Sequence, residues 1–176
     1  MVTVISLGGS IIAPDGVDEP FLKDFVSLIR GMIEEDEKRR FIFVTGGGGP
    51  ARAWQKAYRA VRGESSGEEA DWIGIMATRL NAQLVKAVMG DLCPQDVVTD
   101  PTRVEPLVGR VLVASGWKPG FSSDYDAVLL AERFHAPVVI NLSNIEKVYT
   151  DDPRKNPDAK PVDTISWEDF RALVGD

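Results

Sequence analysis

The chain reads as an α/β protein: a three-layer αβα sandwich around a mostly parallel central sheet. Two observations predict this. Short apolar runs rich in β-branched and aromatic residues alternate with longer segments of helical periodicity, and glycine-rich turns sit where a run gives way to a helix. The 176 residues, 44% hydrophobic and 27% charged, suit one globular domain with a sizeable core.

In order, Val2–Leu7 is expected as a buried strand. Pro20 opens a helix running to about Glu35, with Phe21, Phe25, Leu28, Ile29, Met32 and Ile33 at helical spacing. Phe41–Val44 is the next strand, followed by a helix over Ala51–Val61. Gly63–Gly67 is a polar break, and Ala70–Met89 a long helix. Val97-Val98 reads as a short strand before a proline-bounded excursion, Pro101–Pro106. Val111–Ala114 is a strand, Ser115–Ser122 a loop, Asp124–Phe134 a helix and Pro137–Ile140 another strand. Residues 142–163 are polar and turn-rich. Ser166 is the expected N-cap of a last helix, with Asp169 as its capping-box partner. Ligands of parallel sheets collect at the carboxyl ends of the strands. Both glycine turns, the Ser115–Ser122 loop and Asn141–Thr150 are therefore expected along one rim.

Net charge of −7 argues against nucleic-acid or anionic-membrane binding, which needs a basic face. A local phosphate cradle remains compatible with it. The single Cys93 permits no internal disulfide and fits a reducing cytoplasm. No apolar run approaches the ~20 residues of a spanning helix.

The turns carry the chemistry. Gly8-Gly9-Ser10 is either a tight turn or a loop whose main-chain N–H groups meet a phosphate. It lacks the Gly-Lys-Ser/Thr of a P-loop and the spacing of a dinucleotide fingerprint. Gly46-Gly47-Gly48-Gly49 costs much backbone entropy, and no ordinary turn needs four glycines. A ligand role is favoured there. Phe121-Ser122-Ser123-Asp124 begins a helix, as an N-cap with or without a phosphate on the same amides. Asp71 stands at a helix start, where dipole compensation would account for it. His135, the one histidine, falls at a helix end where cations are favoured. There is no Ser/His/Asp set and no Cys/His metal cluster.

Taken in order, these segments resemble the amino acid kinase family, and within it the archaeal-type uridylate (UMP) kinases. Ser6–Ser10 resembles the opening phosphate loop, and Thr45–Arg52 the second glycine loop. Asp71–Asn81 is similar to the stretch most typical of uridylate kinases, and Pro119–Asp124 to the Thr-Thr-Asp helix start. Ser143–Pro153 resembles the nucleotide loop.

The resemblance implies transfer of the ATP γ-phosphate to UMP with Mg²⁺ as cofactor. The chain would divide into an acceptor half over about 1–136 and the start of an ATP-binding half over about 137–176. Gly46, Gly47, Gly48, Gly49 and Arg52 would hold the UMP phosphate. Asp71 would bind the ribose, Gly74 would admit the nucleotide, and Phe121, Ser122 and Ser123 would line uridine and its phosphate. Gly8, Gly9 and Ser10 would sit at the transferred phosphate. Asp124 would orient the site and its metal region, and Ser143, Asn144, Tyr149 and Asp152 would contact ATP, with Tyr149 against adenine. Small-molecule nucleotides are the implied partners, with a homohexamer as the implied assembly. Gly48→Val is expected to abolish UMP binding with the fold intact.

Three departures stand out. Ser6 replaces a common lysine, so another cation must serve. Glu146-Lys147 replaces the usual Asp-Gly. Family members continue with a further helix and strand beyond the Ser166–Val174 helix, so the C-terminal nucleotide lobe is expected to be incomplete here. A non-catalytic nucleotide-binding or regulatory homologue, or a kinase of another small acid or phosphate, is the alternative.

Overall fold

The computed structural model describes residues 1–63, 67–153 and 155–174. Two compact units divide the chain, Met1–Ser143 and Asn144–Asp176.

The first unit is built on a four-stranded parallel sheet in the order β3-β2-β1-β4. β1 is Val2–Leu7, β2 Arg40–Thr45, β3 Val111–Ala114 and β4 Val139–Leu142. The register sets Leu7 beside Thr45 and Leu142, and Val44 beside Ala114. All four strands therefore end along one rim. β1, β2 and β3 are nearly continuous apolar runs largely buried on both faces, whereas the edge strand β4 is exposed over Val139, Ile140 and Asn141.

Alternate residues sort to opposite faces, as a pleat requires. Ile5, Leu7, Phe41, Phe43, Val111 and Val113 face one layer. It is formed by α2 (Glu19–Glu35) through Leu22, Phe25 and Ile29, and by α4 (Gly67–Met89) through Ala82, Val85 and Met89. Val4, Ile42, Val44, Leu112 and Ala114 face the other, where α5 (Ser123–Arg133) supplies Ala127, Leu130 and Ala131. The three-layer sandwich is thus present.

Helix ends follow local chemistry. The Asp18 carboxylate accepts from the Phe21 N–H at 2.9 Å and caps α2, with Pro20 in its first turn. Ser122 caps α5 through the Tyr125 N–H at 3.1 Å. His135 follows the end of α5 at φ 51, and its N–H donates to the Glu132 carbonyl, a left-handed helix exit.

Several boundaries differ from expectation. α1 (Gly9–Ile12) is a single turn inside the first glycine turn. α3 runs over Gly48–Arg62, so the helix expected from Ala51 begins within the glycines. Pro50 is tolerated because N–H groups of a first turn have no helical partner. Val97-Val98 reduces to a single bridge between Val98 and Ala114. The last strand lies two residues later than expected, in the register fixed by Leu7 and Leu142. Glu64, Ser65 and Ser66 of the polar break lie outside the described residues.

In the second unit, β5 (Val148–Tyr149) pairs antiparallel with β6 (Pro161–Val162), and Lys147 forms an ion pair with Asp163. α6 spans Trp167–Val174. Ser166 Oγ accepts from the Asp169 N–H at 3.0 Å and donates to its carboxylate at 2.7 Å, so the expected cap is formed.

Candidate functional site

The two glycine turns follow adjacent strands and lock into one another, main chain against main chain. A Cβ on Gly9 would stand 2.1 Å from the Gly48 nitrogen, and one on Gly48 2.2 Å from the Gly9 oxygen. A Cβ on Gly46 would meet the Gly9 nitrogen at 2.6 Å, and one on Gly49 the Pro14 oxygen at 2.1 Å. No side chain fits any of these places. Gly48 also has φ +63, which L side chains rarely adopt. Close contact between the turns is therefore a second reason for the glycine run, beside approach to an anion.

Part of the main chain is committed inside the protein. The Gly46 N–H donates to Leu7 at 2.9 Å, Gly49 to Ala13 at 2.8 Å, and Gly8 to Leu142 at 2.8 Å. Among the described residues, the amides of Gly9, Ser10, Gly47 and Gly48 donate no such main-chain bond. Arg52 donates to the Pro14 carbonyl at 3.0 Å, tying α3 to the loop after the first turn.

α4 clamps the rim from one side. Asn81 Nδ2, almost fully buried, donates to the Gly46 and Gly47 carbonyls at 2.8 and 3.3 Å. Thr45 Oγ1 donates to the Thr78 carbonyl at 2.9 Å, and Thr78 Oγ1 accepts from the Gly116 N–H at 2.8 Å. The Thr and Asn of the Asp71–Asn81 stretch thus fix two loops at once. One turn of helix separates them, so both face the same way.

Nearer the start of α4, Asp71 Oδ2 accepts from the Gly120 N–H at 3.1 Å. This joins α4 to the loop before α5. Gly74 does not face open space: a Cβ there would stand 2.7 Å from Gln55 Nε2, which is bonded to the Ala70 carbonyl. The far end of the Gln55 side chain therefore lies against this glycine.

α5 enters from the other face of the sheet. Asp124 Oδ1 accepts from Ser6 Oγ at 2.5 Å and from Asn141 Nδ2 at 3.2 Å. Ser6, expected only as a missing lysine, is buried and holds this carboxylate on the sheet. Asp126 is fully buried; Oδ2 accepts from the Trp117 N–H at 3.1 Å, and Oδ1 has no partner. Burial pushes its carboxyl up from 3.8 to about 6, against the lowering effect of that N–H. Phe121 lies between Trp117 and Tyr125, its ring tilted to both, at centroid distances of 5.0 and 5.1 Å.

The rim of the first unit thus assembles Gly8–Ser10, Gly46–Gly49, Arg52, Asp71, Phe121, Ser122, Ser123 and Asp124 on contiguous elements. Ser143 directly follows β4. Asn144, Tyr149 and Asp152 belong to the second unit: Tyr149 pairs with Pro161 on β6, and Asp152 forms an ion pair with Lys155 at 3.6 Å. Sequence reasoning assigned no role to Ser6, Thr78, Asn81, Trp117, Lys118, Asp126 or Asn141. The apolar–polar break at Ser6 and Thr45, inside otherwise apolar strands, was the available signal for part of this network.

Two predictions follow from this packing. Gly48→Val cannot leave the fold intact, and even Gly48→Ala is expected to cost ~1–3 kcal/mol, read by urea denaturation. Asp126 has a folded pKa above its unfolded value, so its contribution is fully present below pH 3.8 and is lost as pH rises through about 6. Asp126→Asn should remove that loss, roughly 3 kcal/mol at most, from the stability difference between acid and neutral pH.

The model of the amino acid kinase family matches residues 1–175. The chain is 38% identical over 173 residues to a protein named uridylate kinase from Methanospirillum hungatei, covering 97% of this chain and 71% of that one. It is 36% identical to a uridylate kinase from Pyrobaculum neutrophilum, covering 99% and 76%. The crystal structure of uridylate kinase from Archaeoglobus fulgidus superposes with a TM-score of 0.83 at 33% identity, covering 100% of this chain and 79% of that one. Aspartate kinase from Synechocystis, at 15% identity and a TM-score of 0.74, shares the fold. Parallel strands ending in interlocked glycine turns, and relatives matched over nearly the whole chain, lead to one assignment: the chain belongs to the amino acid kinase family.

Proposed function

We propose that the protein is an ATP-dependent UMP kinase, transferring the γ-phosphate of ATP to UMP. The observation that carries this reading is the meeting, at one rim, of the second glycine turn, Asp71 and the N-terminus of α5, bridged by the Asp71–Gly120 bond. The relatives named uridylate kinase support it.

The remaining amides of Gly47 and Gly48, with Arg52, hold the UMP phosphate. Helix N-termini and bare main-chain N–H groups favour such an anion. Asp71 has its Oδ1 left to accept from ribose hydroxyls, while Phe121, Ser122 and Ser123 line uridine and its phosphate. A UMP phosphate oxygen is already anionic and attacks the γ-phosphorus directly. The bond to the β-phosphate bridging oxygen breaks, and ADP leaves with the electron pair. No general base is required, so the absence of a histidine at the site is no obstacle. The task is alignment and charge neutralisation. Gly9 and Ser10 supply amides to the transferred group, beside Gly8. Ser143, with Asn144, Tyr149 and Asp152 of the second unit, is proposed for ATP.

Mg²⁺ suits this donor set. Among the described residues no cluster of three or more metal-ligating side chains occurs. Mg²⁺ is commonly held by one or two carboxylates plus substrate phosphates. Asp124, whose Oδ2 lies outside its bonds to Ser6 and Asn141, is the fitting carboxylate. When bound, the ion neutralises charge on the donor phosphates.

The protein is proposed to form homo-oligomers through α3 and α4. α3 is amphipathic yet buries none of its residues. Trp54 (67% exposed), Val61 (83%) and Leu80 (65%) line, with Tyr58, Trp72 and Met76, an apolar groove of about 670 Å³. α3 carries Arg52, Lys56, Arg59 and Arg62 with no acid, and α4 opens with Glu68, Glu69 and Asp71. A two-fold pairing brings the basic helix of one copy to the acidic start of the other, as an isologous interface requires. The homohexamer implied by the resemblance needs a further interface.

ADP release measured across UMP, CMP, carbamate and N-acetylglutamate should show turnover with UMP alone. UMP binding without turnover would instead support a non-catalytic homologue. Asp71→Asn should weaken UMP by ~1–3 kcal/mol and leave ATP affinity unchanged, by calorimetry. Trp54→Glu should shift the sedimentation coefficient to that of a smaller assembly without lowering the melting temperature of the monomer. An unchanged assembly state excludes this face.

A further inference from the structure

Two polyanions cannot be brought together on amides alone. On the segments 8–18, 46–52 and 115–122 that follow β1, β2 and β3, the basic residues are Arg52 and Lys118. Arg52 is tied to the Pro14 carbonyl at 3.0 Å. Lys118 is differently placed. It takes part in none of the ion pairs among the described residues. Its Nζ lies 3.9 Å from the centre of the Trp117 ring and 5.0 Å from that of Phe121.

The loop that carries it is held firmly. Asp126 fixes the Trp117 N–H from beneath, and Asp71 fixes the Gly120 N–H from α4. Between them, the Phe121 N–H donates to the Lys118 carbonyl at 3.3 Å, closing a turn directly before the Ser122 cap of α5. The backbone is pinned on both sides of Lys118, while the ammonium rests on aromatic faces, with the Asp100 carboxylate acting on it only through space, outside ion-pair distance. Such contacts are weak when exposed, and a phosphate oxygen attracts an ammonium more strongly. The four-carbon stem lets the charge move without the backbone, and no ion pair among the described residues has to be broken.

We propose that Lys118 is a phosphate-binding cation of the acceptor site: parked over Trp117 and Phe121 in the free protein, it swings to the UMP phosphate at the N-terminus of α5. This rests on the UMP reading above. Trp117 and Phe121 then act as positioning residues, holding the charge beside the site until the anion arrives.

The test uses the whole chain and its variants Lys118→Met and Lys118→Arg, titrated calorimetrically with UMP and with uridine. Met keeps the apolar stem against Trp117, and Arg keeps the charge. The Met variant should bind UMP about tenfold more weakly or worse, with uridine affinity changed by less than about twofold. Its UMP affinity should depend less on salt, and Arg should restore most of the loss. Equal losses for UMP and uridine would mean that Lys118 only shapes the loop, and an unchanged UMP affinity would mean that it does not reach the phosphate; either overturns the proposal. Thermal melting of the variants separates these results from misfolding. A failure of the unaltered protein to bind UMP overturns the UMP reading itself, and the role of Lys118 with it.

Discussion

The rest of the site depends on one contact: main chain pressed against main chain where the turn after β1 meets the turn after β2. With Cβ positions at Gly9 and Gly48 falling about 2 Å from the opposite backbone, the two strand ends approach more closely than any pair of side-chain-bearing residues could. On the proposed reading, this proximity would let a donor phosphate on one turn and an acceptor phosphate on the other lie within reach of a single transfer. The proposed catalytic geometry and the packing of the rim would thus share the same atoms, so the glycines cannot be assigned to binding alone.

Polar side chains, among them the buried Ser6, Thr45, Thr78 and Asn81, complete the rim from behind. Thr45, Thr78 and Asn81 form one set, linking β2, α4 and the loops after β2 and β3. The buried Ser6 forms another with the exposed Asn141 and Asp124, linking β1, β4 and α5. Each polar group is satisfied largely by main chain or by a partner on another element, which is the condition for burying it without penalty. Asp126 is the exception, with one oxygen unpartnered and its carboxyl pushed up to about 6 by burial. It keeps this place because it supports the Trp117 amide, and through it the whole aromatic loop.

Much of the fold was legible in the sequence. Val2–Leu7, Phe41–Val44 and Val111–Ala114 are apolar enough on both faces to announce buried parallel strands, and the long α4 repeats its apolar residues at helical spacing. The start of α3 was not legible, because glycines and a proline argue locally against a helix that tertiary contact nonetheless imposes. The placing of the loops on one rim follows from strand polarity and could be read in advance. What could not be read was the interlock itself: a glycine run looks the same whether a ligand or another backbone fills the space. Gly74 illustrates the ambiguity, since its neighbour proves to be Gln55. The bonds of Asn81 and Asp126 were likewise hidden, because nothing in one chain's linear order tells which distant amide a buried carboxamide or carboxylate will meet.

α4 has two sides with unrelated chemistry. Asp71, Thr78 and Asn81 project toward the strand ends, whereas Trp72, Met76 and Leu80 project away from them into the apolar groove. Because packed interiors have low compressibility and transmit strain, the groove side and the loop-anchoring side of this helix are mechanically joined. On the proposed pairing through this groove, a contact on the outer side would bear on the same helix that anchors the loops on the inner side.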